Sequence, residues 1–256
     1  MESVKLSSIM VVRDSELTIG KSIDSQIGCI DNILIIIDRR TTDRTIEIIK
    51  SKKVNYEIIE WKGYAQTKQC ALDKTENDWV LWIDGDEVIT DELKKELVNF
   101  KTNPPDKVVA FQVARRAFFL GKWIKHGGWY PSRVTRLFNK NFAHFDNRSV
   151  HEGIVITGET GRLTNDLEHY TDPNLKHYFE KFNNYTSLAA GELHNKNRKF
   201  SLISLLIRPL FLLLKMYIFR LGFLDGIRGF ILAVLSSHYV FVKYAKLWEK
   251  ENISGV

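Results

Sequence analysis

Apolar residues fall into two rhythms along this chain. Short runs in which every position is apolar, 33-ILIII-37 and 79-WVLWI-83, alternate with stretches whose apolar positions recur at helical spacing. An unbroken β-branched run such as Ile33–Ile37 is the pattern of a strand covered on both faces. Strands are therefore predicted at 6–13, 33–38, 54–61 and 79–83. Helices are predicted between them at about 15–27, at 41–52 (opened by capping Thr and Asp residues, with Ile46, Ile48 and Ile49 in helical spacing) and at 64–75. Strands alternating with helices of this length imply βαβ units, hence an α/β fold with a mostly parallel, Rossmann-like sheet flanked by helices.

The loop 102-TNPPDK-107 interrupts this pattern. Beyond it the chain predicts a long strand at 108–119, a loop rich in Gly and aromatics at 121–133, a strand at 134–139 and a helix from about Asn174 to His194. The division expected is a main domain over 1–195, in halves 1–100 and 101–195, and a helical extension over 196–256. Within the extension, 200-FSLISLLIRPLFLLLKMYIFRLGFL-224 is the most apolar part of the chain. Arg208, Lys215 and Arg220 interrupt it, and Pro209 is expected to kink or end a helix there. Arg208 and Lys215 are seven residues apart, on nearly one helical face. That suits an amphipathic helix lying in a membrane interface with its cations at the headgroups. The plainer alternative is a helical pair packed on the main domain or on a twin subunit, giving a homo-oligomer.

Composition then narrows the class. With 44% hydrophobic and 27% charged residues in 256, a folded globular protein is expected rather than a disordered one. The net charge of +6 is unevenly placed: residues 196–256 hold ten Lys or Arg against Asp225, Glu249 and Glu251, a surplus of seven. An anionic partner is implied for this tail. Because its cations are interleaved with Leu, Ile and Phe, that partner is the inner leaflet of a membrane, reached through 200–250, and not nucleic acid. Cys29 and Cys70 form no disulfide framework or metal pair, and the N-terminus lacks an uninterrupted apolar core. The expectation is a cytoplasmic protein, peripheral on the cytoplasmic face of the membrane.

Candidate chemistry gathers where strands end. In open parallel sheets ligands bind at the carboxyl ends of the strands, and two predicted strands end in acid: Asp38 after Ile33–Ile37, and Asp84, Asp86 and Glu87 after Trp79–Ile83. Hard carboxylate oxygens on such a rim suit Mg2+ or Mn2+ held together with a diphosphate. Asp84-Gly85-Asp86-Glu87-Val88 also fits the DxDx(T/V) pattern of haloacid-dehalogenase phosphatases, with Asp84 as nucleophile, although that motif belongs on the first strand of its domain. The triplet 20-GKS-22 lacks the first Gly of a phosphate-binding loop, and residues 84–90 lack the Gly and spaced Glu of a calcium loop.

Taken in order, 36-IIDRRTTDRTIEI-48, 61-WKGYAQTKQCALD-73, 79-WVLWIDGDE-87, 115-RRAFFLGKWIKHGGWYP-131, 136-RLF-138, 150-VHEG-153 and 222-GFLDGIRG-229 resemble family 2 glycosyltransferases of the GT-A fold, in the branch containing lipopolysaccharide-core β-1,4-glucosyltransferases. The resemblance implies an inverting transfer of a sugar, glucose by that branch, from a UDP-sugar to a hydroxyl of a lipid-linked cell-surface glycan. Residues 1–100 would be the nucleotide-sugar half and 101–195 the acceptor side. It further implies that Asp38 bonds the base or ribose, that Lys68 contacts the nucleotide, and that Asp84 and Asp86 serve the cation on the diphosphate, with Asp86 the direct ligand.

For the base that takes the acceptor proton, Glu152 is the first candidate and Glu87 the reserve. His151 and His169 are rival further metal ligands. Trp123, His126, Trp129 and Tyr130, within 122-KWIKHGGWY-130, would form an acceptor wall. Two departures lie beside the nucleotide: Arg39-Arg40-Thr41 replaces the usual Ser-Gly-Ser, and 13-RDSE-16 replaces the commoner Lys/Arg-Asn-Glu-Glu. A relative that keeps this fold but only binds glycans is the remaining alternative.

Overall fold

The computed structural model describes residues 3–146 and 153–253. Its strands and helices run β1 (Leu6–Val12), α1 (Ile19–Gln26), β2 (Asn32–Asp38), α2 (Thr45–Ser51), β3 (Asn55–Ile59), α3 (Tyr64–Asp73), β4 (Trp79–Trp82), β5 (Glu87–Ile89), α4 (Asp91–Thr102), β6 (Val108–Phe119), β7 (Lys122–Trp123), β8 (Ser132–Asn139), β9 (Ala143–Phe145), β10 (Ile154–Ile156), β11 (Glu159–Asp172), α5 (Leu175–Asn195), α6 (Leu202–Leu214) and α7 (Ile227–Asn252). The main sheet has the order β3-β2-β1-β4-β8-β6-β11-β5, with β7 paired to β6, and β9 and β10 form a separate ribbon.

The first four predicted strands are the parallel part of this sheet. Ile9 of β1 sits opposite Leu34 of β2 and Trp82 of β4, and β2 pairs in parallel with β3. The prediction that β2 is covered on both faces holds residue by residue: Ile35, Ile36 and Ile37 are each fully buried. Ile35 and Ile37 join one apolar cluster and Ile36 the other, as the two-residue period of a strand requires. In the same way Trp79, Leu81 and Ile83 face one side, and Val80 and Trp82 the other. Because β1, β2 and β4 are parallel, their carboxyl ends share one rim. Beyond β4 the sheet turns antiparallel at β8, where Val80 faces Phe138.

Several elements fall outside the sequence expectation. Residues 91–102 form α4, capped by the Thr90 hydroxyl, which accepts from Leu93 N–H at 3.2 Å, and burying Leu93, Leu97 and Phe100. Its neighbour β5 and the fourteen-residue β11 are strands where none was predicted, and β7 lies inside the stretch expected to be all loop. Pro209 does not end a helix: α6 runs on to Leu214 and passes into a π-turn at Lys215–Phe219. The proline carbonyl accepts from the Ser237 hydroxyl of α7 at 2.9 Å.

The chain groups into two compact units, residues 1–115 with 133–170, and residues 116–132 with 171–256. The expected boundary at 195/196 thus falls at the end of α5, which belongs with the C-terminal helices. The first unit holds the parallel sheet. In the second, Phe119, Ile124, Met216, Leu232 and Ala233 make the core. Two of its helical stretches, Leu202–Phe219 and Ile227–Asn252, are long and apolar enough to cross a membrane.

Candidate active site

On the shared rim, the loop after β1 is stitched to the loop after β2. Asp14, in the left-handed region at φ 45°, accepts from the Thr42 N–H at 2.8 Å. Asp43 accepts from the Glu16 and Thr45 N–H groups at 2.9 Å each, and the Ser15 N–H donates to the Thr45 hydroxyl at 2.7 Å. The departures from the family pattern at 13–16 and 39–41 are therefore adjacent parts of one structure. Asp38, at the tip of β2, is nearly fully buried. Arg40 takes both its oxygens, its Nε lying 3.1 Å from each and its Nη2 2.6 Å from Oδ2, and the guanidinium also lies over the Trp61 ring. Those bonds hold the Asp38 carboxyl below the usual carboxylate range.

The acids after β4 diverge. Asp84 Oδ1 accepts from the Trp82 indole N–H at 3.2 Å, and Oδ2 accepts from Arg136 of β8. Arg136 is buried and also donates to Glu87 at 2.7 Å, with its guanidinium 4.2 Å from the centre of the Trp82 ring. Lys68 of α3 lies 4.3 Å from the same ring. Burial alone would raise the Asp84 pKa, but the charges of Arg136, Lys68 and His169 outweigh it and hold the carboxyl below its usual value.

Glu87 has no exposed surface, and it accepts from the Asp84 N–H at 3.0 Å and from Arg115 at 3.5 Å. Its place in the structure is that of a buried ion-pair partner that fixes the acid turn. So enclosed, it suits that ion-pairing role better than the reserve-base role expected of it.

Asp86 is placed differently. It is partly exposed, and its Oδ2 stands 3.4 Å from Nε2 of His169 on β11. The strand pairing that sets Glu87 opposite His169 brings the histidine there. Among the described residues no three His, Cys, Asp or Glu side chains form a ready-made metal cluster. The Asp86 and His169 pair nevertheless fits a divalent cation, one oxygen and one nitrogen donor being near enough to share an ion whose remaining positions a diphosphate would fill. His151 and Glu152 lie outside the described residues.

The expected acceptor residues lie in the second unit. Trp123 meets Tyr130 edge to face at 5.3 Å and carries Lys125 at 4.6 Å and Arg116 at 5.1 Å from its ring centre. Trp129 packs against that unit's core. His126 is partly exposed, with Nδ1 3.2 Å from Asp225 Oδ1. Arg136 and Asp225, both inside motifs that carried the resemblance, are the polar residues whose roles no local pattern announced.

A parallel βαβ half whose rim ends in a divided pair of acids, followed by antiparallel strands, is the architecture of GT-A nucleotide-sugar transferases. The glycosyl transferase family 2 model matches residues 7–170. The chain belongs to this family and is a glycosyltransferase. Its similarity to the lipopolysaccharide core biosynthesis glycosyltransferase LpsC of Rhizobium meliloti is 29% identity, covering 98% of this chain and 94% of that one. An uncharacterized glycosyltransferase of Rickettsia typhi is 28% identical over 96% and 87% of the two chains. Among solved structures, the Pyrobaculum calidifontis mannosyltransferase PcManGT, in complex with GDP-Man and Mn2+, aligns with a TM-score of 0.55 at 10% identity, covering 98% of this chain and 88% of that one, a likeness of fold.

Proposed function

We propose that this enzyme transfers a sugar, glucose by the branch it resembles, from a UDP-sugar to a hydroxyl of a lipid-linked glycan such as lipopolysaccharide core. The reaction inverts the anomeric carbon and takes place at the cytoplasmic face of the membrane. The observation that carries the donor half is the division of labour between Asp84 and Asp86. Arg136 and Trp82 already satisfy Asp84, so it orients the turn and the nucleotide side of the site, while Asp86 with His169 remains open to a cation. When bound, Mg2+ or Mn2+ supplies Lewis-acid neutralisation of the charge that builds on the departing diphosphate. Lys68 adds a fixed positive charge beside Asp84 that favours an anionic donor.

Asp38 is the acceptor group for a base or ribose hydrogen, reached when a nucleotide competes with Arg40 for it. Glu152 is the base for the acceptor proton, a task that contributes roughly 100- to 10,000-fold in rate. The printed role of LpsC supports the acceptor class. The same acids argue against phosphatase chemistry, since an Asp84 carboxylate held by an arginine and an indole is withheld from nucleophilic attack.

The test is a panel of UDP-sugars with Mn2+ or Mg2+, comparing the wild type with Asp86→Ala. Transfer or slow donor hydrolysis that depends on the cation and falls at least about 100-fold in the variant is expected. Full activity of Asp86→Ala would remove the metal assignment. A wild type showing neither turnover nor a UDP-dependent thermal shift would favour the glycan-binding alternative.

A further inference from the structure

The motif 222-GFLDGIRG-229 builds a corner between α6 and α7 that faces two ways. On one side it presents Ile218, Phe219, Leu221, Phe223, Leu224 and Ile227, each between 46% and 74% exposed. On the other it grips the loop 120–128. Asp225, itself buried, accepts from the Lys125 N–H at 3.2 Å and from the His126 N–H at 2.8 Å, besides meeting the His126 ring. The Gly127 N–H donates to the Arg220 carbonyl at 2.8 Å. Arg228 Nε donates to the Leu120 carbonyl at 3.0 Å.

The corner is tightly built. A Cβ on Gly229 would stand 2.0 Å from the Gly222 carbonyl oxygen, and one on Gly128, at φ 83°, would meet Arg220. Turning Asp225 inward leaves the outer side without an acid. From Leu202 to Phe230 the charged residues are Arg208, Lys215, Arg220 and Arg228 against that one buried carboxylate. The outward side of α6 continues the apolar surface through Leu202, Ile203, Leu206, Ile207, Leu210 and Phe211, all exposed.

We propose that this corner and the adjoining face of α6 dock into a lipid leaflet carrying anionic headgroups, and that the docked corner, through Asp225, Arg220 and Arg228, fixes the conformation of the loop 120–128. The inference deepens the membrane-peripheral reading given above. A bilayer is the occupant because an uncharged apolar strip flanked by cations matches the layering of acyl chains beneath anionic headgroups. A second copy of the chain would bring the exposed Arg208 and Arg220 against like charges. The loop it fixes contains His126, so the lipid surface and the acceptor-side loop become one mechanical piece.

The test uses the full-length protein with vesicles of phosphatidylcholine, with and without phosphatidylglycerol, and needs no sugar donor. The wild type is expected to sediment with the phosphatidylglycerol vesicles, less so as salt rises. The double variant Phe219→Ser/Leu224→Ser changes only exposed side chains and is expected to bind roughly tenfold or more weakly. Hydrogen exchange at 120–128 should slow when the wild type binds. Asp225→Asn, or Arg228→Met if the first fails to fold, should still bind vesicles but exchange faster in that loop with no slowing on binding.

Unchanged vesicle binding of the double variant would overturn the docking surface. So would self-association that the double variant abolishes while vesicles have no effect, since a second copy would then occupy the face. Resistance of the vesicle-bound wild type to alkaline extraction would replace docking by spanning. Identical exchange in wild type and both loop variants would overturn the coupling. Loss of the donor assignment would leave every one of these readouts unmoved.

Discussion

At the level of single residues, Arg136 is the side chain on which the acid turn depends. Removing it while Glu87 stays buried takes the nearest counter-charge from both carboxylates, leaving Glu87 only the more distant Arg115; loss of one partner costs about 3–5 kcal/mol in comparable buried pairs. Arg136→Met should therefore lower the urea midpoint markedly. The pH dependence has a definite sign. Asp84 titrates lower in the folded chain than its ordinary 3.8, so its contribution is complete above that value and is lost as pH falls below it. Acid-unfolding curves of wild type and Arg136→Met should diverge at neutral pH and converge in that acid range.

Burial also pushes the Cys29 thiol up to about 11. In native protein near neutral pH, Cys29 should resist a thiol reagent that modifies it readily in denaturant, as peptide mapping would show. The placing of Asp38, Asp84 and Asp86 on one rim was legible from sequence because each follows a buried apolar run that ends a parallel strand. Arg136 was not, since nothing in 133-RVTR-136 says which arginine turns inward, and the Arg-Leu-Phe of the family resemblance was the one available signal.

Among the elements, the parallel strands read clearly because double-sided burial writes an unbroken apolar run. β11 did not: 159-ETGRLTNDLEHYTD-172 buries Leu163 and Leu167 but spends its other positions on polar groups, so its period is faint. α4 carried a Thr cap, two acids in its first turn and three buried apolar residues at helical spacing, signals that were present but are short beside the acid cluster preceding them.

Gly191 lies within α5 with open space where a Cβ would go, so Gly191→Ala should stabilise by about 0.5–1 kcal/mol, measurable as a higher melting temperature. Gly222 is the opposite case. A Cβ there would stand 2.6 Å from the Met216 carbonyl oxygen, and Gly222→Ala should cost about 1–3 kcal/mol in the same measurement.

For the whole molecule, the fold class and the presence of C-terminal helices followed from the sequence, but the extent of the helical unit did not. Residues 116–132 join α5, α6 and α7 by tertiary bonds such as those of Asp225 and Arg228, which leave no trace in local composition. A truncation ending at residue 195 would therefore remove more than an exposed apolar surface. It would strip Met216, Leu232 and Ala233 from the core around Phe119 and Ile124. Such a truncation should elute as aggregate in size-exclusion chromatography, so loss of membrane binding is to be tested by surface substitutions instead.

The chain passes between its two units at 115/116, 132/133 and 170/171. No single cut releases one unit intact from the other, and a crossover at any one point in a gene would carry away a fragment of each. A C-terminal cassette swapped among relatives at 170/171 would thereby carry only part of the second unit. A chimaera that is to carry the second unit whole should transplant 116–132 together with 171–256.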